Sequence, residues 1–130
     1  MHDNDILHRD VKPDNFLVHN GVLQLNDFDL SCTKYENKAT TRVGTTKFWS
    51  PRFDDDASAK TYNEDDDWFG LVLTFAYWLR FYSASQSPTD NKAVKLYTVQ
   101  MFLSLSTTPP ALRARIEPVF TRIKEELRER

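Results

Sequence analysis

The chain has 130 residues, a net charge of −2, 40% apolar and 13% aromatic residues and a single cysteine. That length holds one modest core and the apolar share is enough to fold it. A charge so near neutral makes no electrostatic case for nucleic acid or an anionic membrane, and the lone Cys32, which excludes an internal disulfide, suits a reducing intracellular compartment, cytoplasmic or nuclear.

Residues 1–7 are polar until Ile6-Leu7, with no signal-peptide pattern. Ile6-Leu7 should pack beneath the segment that follows. That segment is His8-Arg9-Asp10-Val11-Lys12-Pro13-Asp14-Asn15. Pro13 fixes one backbone angle and removes a donor, so a rigid loop is expected rather than a helix. The loop offers a carboxylate (Asp10), an ammonium (Lys12) and an amide oxygen (Asn15) to one small volume. That set suits phosphoryl transfer, which needs a group to orient an attacking hydroxyl, a cation for the moving phosphoryl and a hard oxygen ligand for magnesium.

Two apolar-rich runs follow, Phe16-Leu17-Val18 and Val22-Leu23-Gln24-Leu25, separated by His19-Asn20-Gly21. Asn-Gly tolerates positive φ at both residues and predicts a small antiparallel hairpin. The hairpin would carry Asn15 at one end and Asp27, a second hard ligand, just past the other. Residues 30–52 hold few large apolar side chains and many Thr, Lys and Asn, and read as a long surface loop. Residues 54–67 are acidic and polar, as a solvated face would be.

Trp68 to Tyr82 is apolar on nearly all sides and reads as a buried helix. Its most apolar stretch, Trp68 to Leu79, is too short to span a bilayer. Residues 83–92 are linker-like. Ala93 to Leu105 is apolar at close to helical spacing until Thr107-Thr108-Pro109-Pro110 breaks the pattern. Residues 111–130 end in an amphipathic helix with Val119, Phe120, Ile123 and Leu127 on one face. Glu117-Pro118 is expected to interrupt or restart it.

His8 to Asn15, Asp27-Phe28-Asp29, Gly44-Thr45, Ser50-Pro51-Arg52 and Asp66-Asp67-Trp68, in that order, resemble the motifs of eukaryotic-type Ser/Thr protein kinases. The resemblance implies roles for the matching residues. Asp10 would be the catalytic base and Lys12 would neutralise the transferred phosphoryl. Thr45 would hydrogen-bond both, and Asn15 and Asp27 would ligate Mg2+. Leu17 would form the floor beneath the adenine of ATP, with Leu73 and Tyr77 in the core behind it. His8 would be structural, stacking on Phe28. Asp66 would open the central helix and brace the catalytic-loop backbone, leaving Gly70 one position early and Leu71 on the usual glycine site. Residues 30–52 would be the activation segment. Thr41, with Thr40 as a close competitor, would be its regulatory phosphosite, paired with Arg9.

Two departures stand out. Asp29 replaces the usual glycine, where left-handed backbone would cost roughly 1 kcal/mol. Arg52 replaces the glutamate that normally pairs with a buried arginine, so either its partner is changed too or the anchor is absent.

The expected fold class is therefore α+β, mostly α. It is a protein-kinase-like C-terminal lobe with a small β-hairpin, an activation segment and a central buried helix, the N-terminal lobe being absent. Residues 1–29 would hold the catalytic loop, hairpin and metal-binding segment, 30–52 the activation segment and 53–130 the helical lower lobe. A whole kinase domain is roughly twice this length. The glycine-rich phosphate loop and the lysine strand have no counterpart here, so the isolated chain is expected to be inactive and not stabilised by ATP·Mg2+. The implied substrate is a protein hydroxyl, with no nucleic-acid or membrane partner. A pseudokinase remnant or scaffold, binding a protein on its uncovered upper face, is the alternative, and a gene fragment with no independent role is a third.

Overall fold

A computed structural model describes residues 2–33, 35, 46–53, 61–82 and 91–128. Phe16–His19 (β2) and Val22–Leu25 (β3) form the expected antiparallel hairpin, with Phe16 opposite Leu25 and His19 opposite Val22. Asn20 and Gly21 both take left-handed backbone, with φ of 51° and 76°, the geometry whose twist matches the flanking strands. A Cβ on Gly21 would meet nothing within 4 Å, so backbone conformation and not space calls for glycine there.

Ile6–Leu7 (β1) pairs antiparallel with Cys32–Thr33 (β4). This corrects the reading of residues 30–52 as loop throughout. Two residues are too few to show an alternating pattern, and the pairing follows from tertiary contact. Leu7 and Cys32 then join Phe53 and Tyr62 in a small buried cluster, with the Phe53 and Tyr62 rings stacked at 5.8 Å.

The helical lobe is built from Glu64–Trp78 (α1), Asn91–Ser104 (α2) and Pro110–Arg128 (α3), each packed on the other two. Their shared core includes Phe69, Val72, Leu73 and Ala76 of α1, Val99 and Phe102 of α2, and Ile116, Val119 and Ile123 of α3.

Helix α1 begins with a reciprocal cap. The Asn63 side chain accepts from the Asp65 amide at 2.9 Å, and the Asp66 carboxylate accepts from the Asn63 amide at 2.9 Å. The run Glu64 to Asp67 thus fills the first turn, where carboxylates oppose the helix dipole. The helix ends at Trp78, short of the expected Tyr82. Arg80 turns left-handed at φ 69°, the Phe81 amide donates to Ala76 and the Arg80 amide to Tyr77, both at 3.1 Å. This is a Schellman stop with arginine where glycine is usual. The core-facing residues of the apolar stripe are buried, but Tyr77, Trp78 and Leu79 at its end are exposed.

Helix α3 is continuous through Pro118, against the expected interruption. Proline removes one intrahelical hydrogen bond, but Ile116, Val119 and Ile123 on either side are buried in the core. Tertiary packing holds the helix across the defect.

Candidate functional site

The segment from His8 to Asn15 is an irregular loop ending in a tight turn at Pro13–Asn15. It is held from below by Asp67 rather than by Asp66, which corrects the sequence assignment. Asp67 Oδ2 accepts from the His8 amide at 2.8 Å and Oδ1 from the Arg9 amide at 3.0 Å. Oδ1 also accepts from the Tyr62 hydroxyl at 2.6 Å, and Oδ2 lies 2.9 Å from His2 Nε2. Adjacent helical residues point about 100° apart. Asp66, at the third helical position, is taken by the cap and by Arg52, whose Nη1 donates to its Oδ2 at 2.5 Å. Asp67 is the carboxylate that faces the loop.

Tyr62 and His2 are parts of this brace that sequence reasoning missed. Burial pushes the Tyr62 phenol well above its ordinary pKa, aided by Asp67 and Asp66, so it stays a donor. Its only sequence signal is an aromatic residue close before an acidic helix start.

Gly70 lies under the loop. A Cβ there would meet the Val11 carbonyl oxygen at 3.0 Å and that of Phe48 at 3.3 Å. Glycine at 70 therefore allows α1 to approach the loop backbone, and Leu71 is not needed for that close contact.

His8 is fully buried and its ring meets Phe28 edge-on at 4.9 Å, the expected structural contact. The Asp10 amide donates to His8 Nδ1 at 3.1 Å. Nδ1 is therefore the bare nitrogen, and Nε2–H donates to the Asn26 carbonyl at 2.9 Å. An imidazole bonded at both nitrogens ties the loop to the hairpin exit. Arg9, left-handed at φ 71°, donates from Nε to the Leu30 carbonyl at 2.7 Å.

Asp10, Lys12 and Asn15 come together. Lys12 Nζ is 3.9 Å from Asp10 Oδ2. Buried Asn15 donates from Nδ2 to the Asp10 carbonyl at 2.7 Å and to Asp10 Oδ2 at 3.1 Å. With its nitrogen committed, the Asn15 side chain offers Oδ1 as an acceptor. The Asn26 amide donates to the Asn15 carbonyl at 2.7 Å, closing the hairpin base. Asp27 is the next residue and is exposed.

The left-handed backbone expected at Asp29 sits at Asp27 instead, with φ 59°. Asp tolerates that conformation because its short side chain can bond locally, and Asp27 Oδ1 accepts from the Asp29 amide at 3.4 Å. Asp29 has no left-handed backbone to support.

A carboxylate and an amide oxygen are hard donors of the kind magnesium takes, one or two from protein and the rest from phosphate and water. Among the described residues no cluster of three or more His, Cys, Asp or Glu could hold a metal alone. By donor chemistry alone, Asn15 and Asp27 would suit a magnesium that takes its remaining ligands from phosphate and water.

Leu17 is 55% exposed on the hairpin. Leu73 is fully buried, whereas Tyr77 is half-exposed with its ring edge-on to Phe48. Thr40, Thr41, Gly44 and Thr45 lie outside the described residues. A cavity of about 350 Å³ opens between the hairpin, α1 and α3, lined by Phe16, Leu25, Trp68, Leu71 and Arg115 among others. Val11 of the loop also lines it, but Asp10, Lys12, Asn15 and Asp27 do not. No described helix is long and apolar enough to cross a membrane.

Arg52 answers its own question. Its guanidinium is paired within the described residues: Nε and Nη2 bond Glu126 of α3, while Nη1 bonds Asp66 of α1.

The family described as protein kinase domain matches residues 1–128. The chain is similar to serine/threonine-protein kinase SCH9 of Saccharomyces cerevisiae, 37% identical over 96 residues, which is 71% of this chain and 12% of that protein. It is similar to an Aurora kinase of Eremothecium gossypii, 38% identical over 78 residues, 58% of this chain and 20% of that one. It also resembles cAMP-dependent protein kinase type 3 of Saccharomyces cerevisiae, 34% identical over 95 residues, 68% of this chain and 23% of the relative. The chain thus spans less than a quarter of the length of these relatives.

Proposed function

The chain belongs to the protein kinase family, and from that premise we propose that it supplies the catalytic loop and metal ligands of a serine/threonine kinase acting on a protein hydroxyl. Asp10 orients that hydroxyl and accepts its proton. Lys12 neutralises the charge on the transferred phosphoryl. Asn15 and Asp27 hold Mg2+, which when bound neutralises the phosphates of ATP. Thr45, outside the described residues, would hydrogen-bond Asp10 and Lys12, and Thr41 would be the regulatory phosphosite, with Arg9 the partner of its phosphate.

The observation that carries this reading is the Asn15 amide. Its nitrogen is fixed on Asp10, and its backbone carbonyl is fixed on the residue before Asp27. One residue, itself a proposed metal ligand, thereby couples the base to the segment that carries the other. Catalysis of this kind is positioning plus electrostatics, so each member of the group matters. In the full-length protein, Asp10→Ala and Asp27→Ala should each lower phosphate transfer from ATP to a protein substrate by roughly 100-fold or more. Turnover like wild type in either variant would sink the assignment.

A second reading, a scaffold that binds a protein through the hairpin, is favoured by the exposure of Leu17, Val18 and Val22, at 55%, 73% and 57%. The two readings part on a pair of variants. A scaffold keeps its function in Asp10→Ala and loses it in Val18→Glu, and the kinase does the reverse.

A further inference from the structure

We propose that Arg52 is a positioning residue, a buried anchor that seats the segment Thr46–Phe53 against the catalytic loop by bridging two carboxylates, Asp66 and Glu126. The inference rests on the kinase reading for what the segment borders, but not for the anchor itself.

The guanidinium is almost completely buried and every one of its nitrogens is used. Nη1 donates to Asp66 Oδ2 at 2.5 Å, Nε to Glu126 Oε2, and Nη2 to Glu126 Oε1 at 3.4 Å and to the Thr61 carbonyl at 3.1 Å. Its plane also lies over the Phe53 ring, 5.4 Å from the centroid. A rigid fork with five donors can do this, and a lysine ammonium cannot. Arg52 therefore ties four places at once: its own segment, the approach to α1, the first turn of α1 and the last turns of α3.

The segment it holds reaches the catalytic loop. Phe48 and Trp49 share a small cavity with Arg9, Asp10 and Val11, and the Phe48 carbonyl abuts Gly70. The Tyr82 hydroxyl secures the other end by donating to the Lys47 carbonyl at 2.5 Å. Release of Arg52 would free the wall beside Asp10 from the Phe53 side.

Two carboxylates on one cation make the anchor asymmetric. A simple exchange of Arg52 and Glu126 would place a glutamate at 52 beside Asp66, like charge against like in a buried site. That pattern gives a test specific to a three-membered anchor. The 130-residue chain is made as R52E, R52E/E126R and R52E/E126R/D66N, and thermal unfolding is followed by circular dichroism. R52E should lower Tm by roughly 10 °C or more. The double exchange should recover less than half of that loss, and the triple variant most of it. Full recovery in the double variant, or none in the triple, overturns the proposal.

Positioning is separated from bulk stability by amide hydrogen exchange in Arg52→Lys and Glu126→Gln, which also serve if R52E does not fold. Exchange at Asp10, Val11 and Phe48 should rise at least roughly tenfold while Val99 in α2 is unchanged, as for a local opening. An equal rise at all four, or at none, refutes the positioning role. No nucleotide enters either measurement, so the anchor and the kinase assignment can fail separately.

Discussion

Removing the Asp67 carboxylate should be among the most damaging single changes to the fold, and it distinguishes two registers of one acidic run. In Asp67→Ala the buried amides of His8 and Arg9, the Tyr62 hydroxyl and His2 Nε2 all lose their partner. Hydrogen bonds to a charged group contribute about 1.5–3 kcal/mol each, and a buried donor left unmade costs about 1–3 kcal/mol. His2 is partly exposed and regains water. Two amides and one phenol remain, and allowing for relaxation the loss is about 4 kcal/mol, a large part of the 5–15 kcal/mol typical of a domain. Urea unfolding of the chain measures it, and exchange at the His8 and Arg9 amides localises it. Asp67→Asn should fall in between, because its amide group must face one pair of donors. A loss under about 1 kcal/mol, with faster exchange at His8 and Arg9 in an Asp66 variant instead, would return the brace to Asp66 and refute the reasoning.

Gly70→Ala sets helix propensity against space. Alanine is the better helix former by about 1 kcal/mol, but its Cβ would stand 3.0 Å from the Val11 carbonyl oxygen and 3.1 Å from Val11 Cβ. A net destabilisation of about 1–3 kcal/mol is expected in urea, and a stabilised variant would contradict the close approach. Burial pushes the Asp66 carboxyl up from 3.8 to about 7, against the opposing pull of Arg52. The folded state then binds the extra proton between those values, so this group's contribution is present below about pH 4 and is lost as pH rises through 7. Asp66→Asn loses a partner of Arg52, so it should be less stable than wild type at pH 4, with the deficit shrinking toward pH 8; a difference flat with pH would rule the shift out.

Much of the fold could be read along the chain because its signals are local. Asn20-Gly21 specifies a turn whose backbone angles few other pairs accept, so the hairpin and its register follow. A run apolar on nearly all sides marked α1, and apolar spacing marked α2 and α3, since each must bury a surface in a common core. The order of His8, Asp10, Lys12 and Asn15 fixed the chemistry on offer, and the structure adds how Asn15 couples to Asp10.

The rest was decided in three dimensions. Four consecutive acidic residues at the start of α1 look alike in sequence. Only the helix phase says that Asp66 turns to Arg52 and Asp67 to the loop that begins at His8. Pro118 reads as a break, yet the buried side chains around it keep α3 whole. Cys32-Thr33 becomes a strand because Ile6-Leu7 lies beside it. Arg52 leaves a changed partner and an absent anchor equally open in sequence, and only the fold brings it to Glu126, far along the chain. Sequence determines what each residue can offer locally, and tertiary structure decides which partner receives it, because burial makes an unmet polar group costly and so selects the pairing.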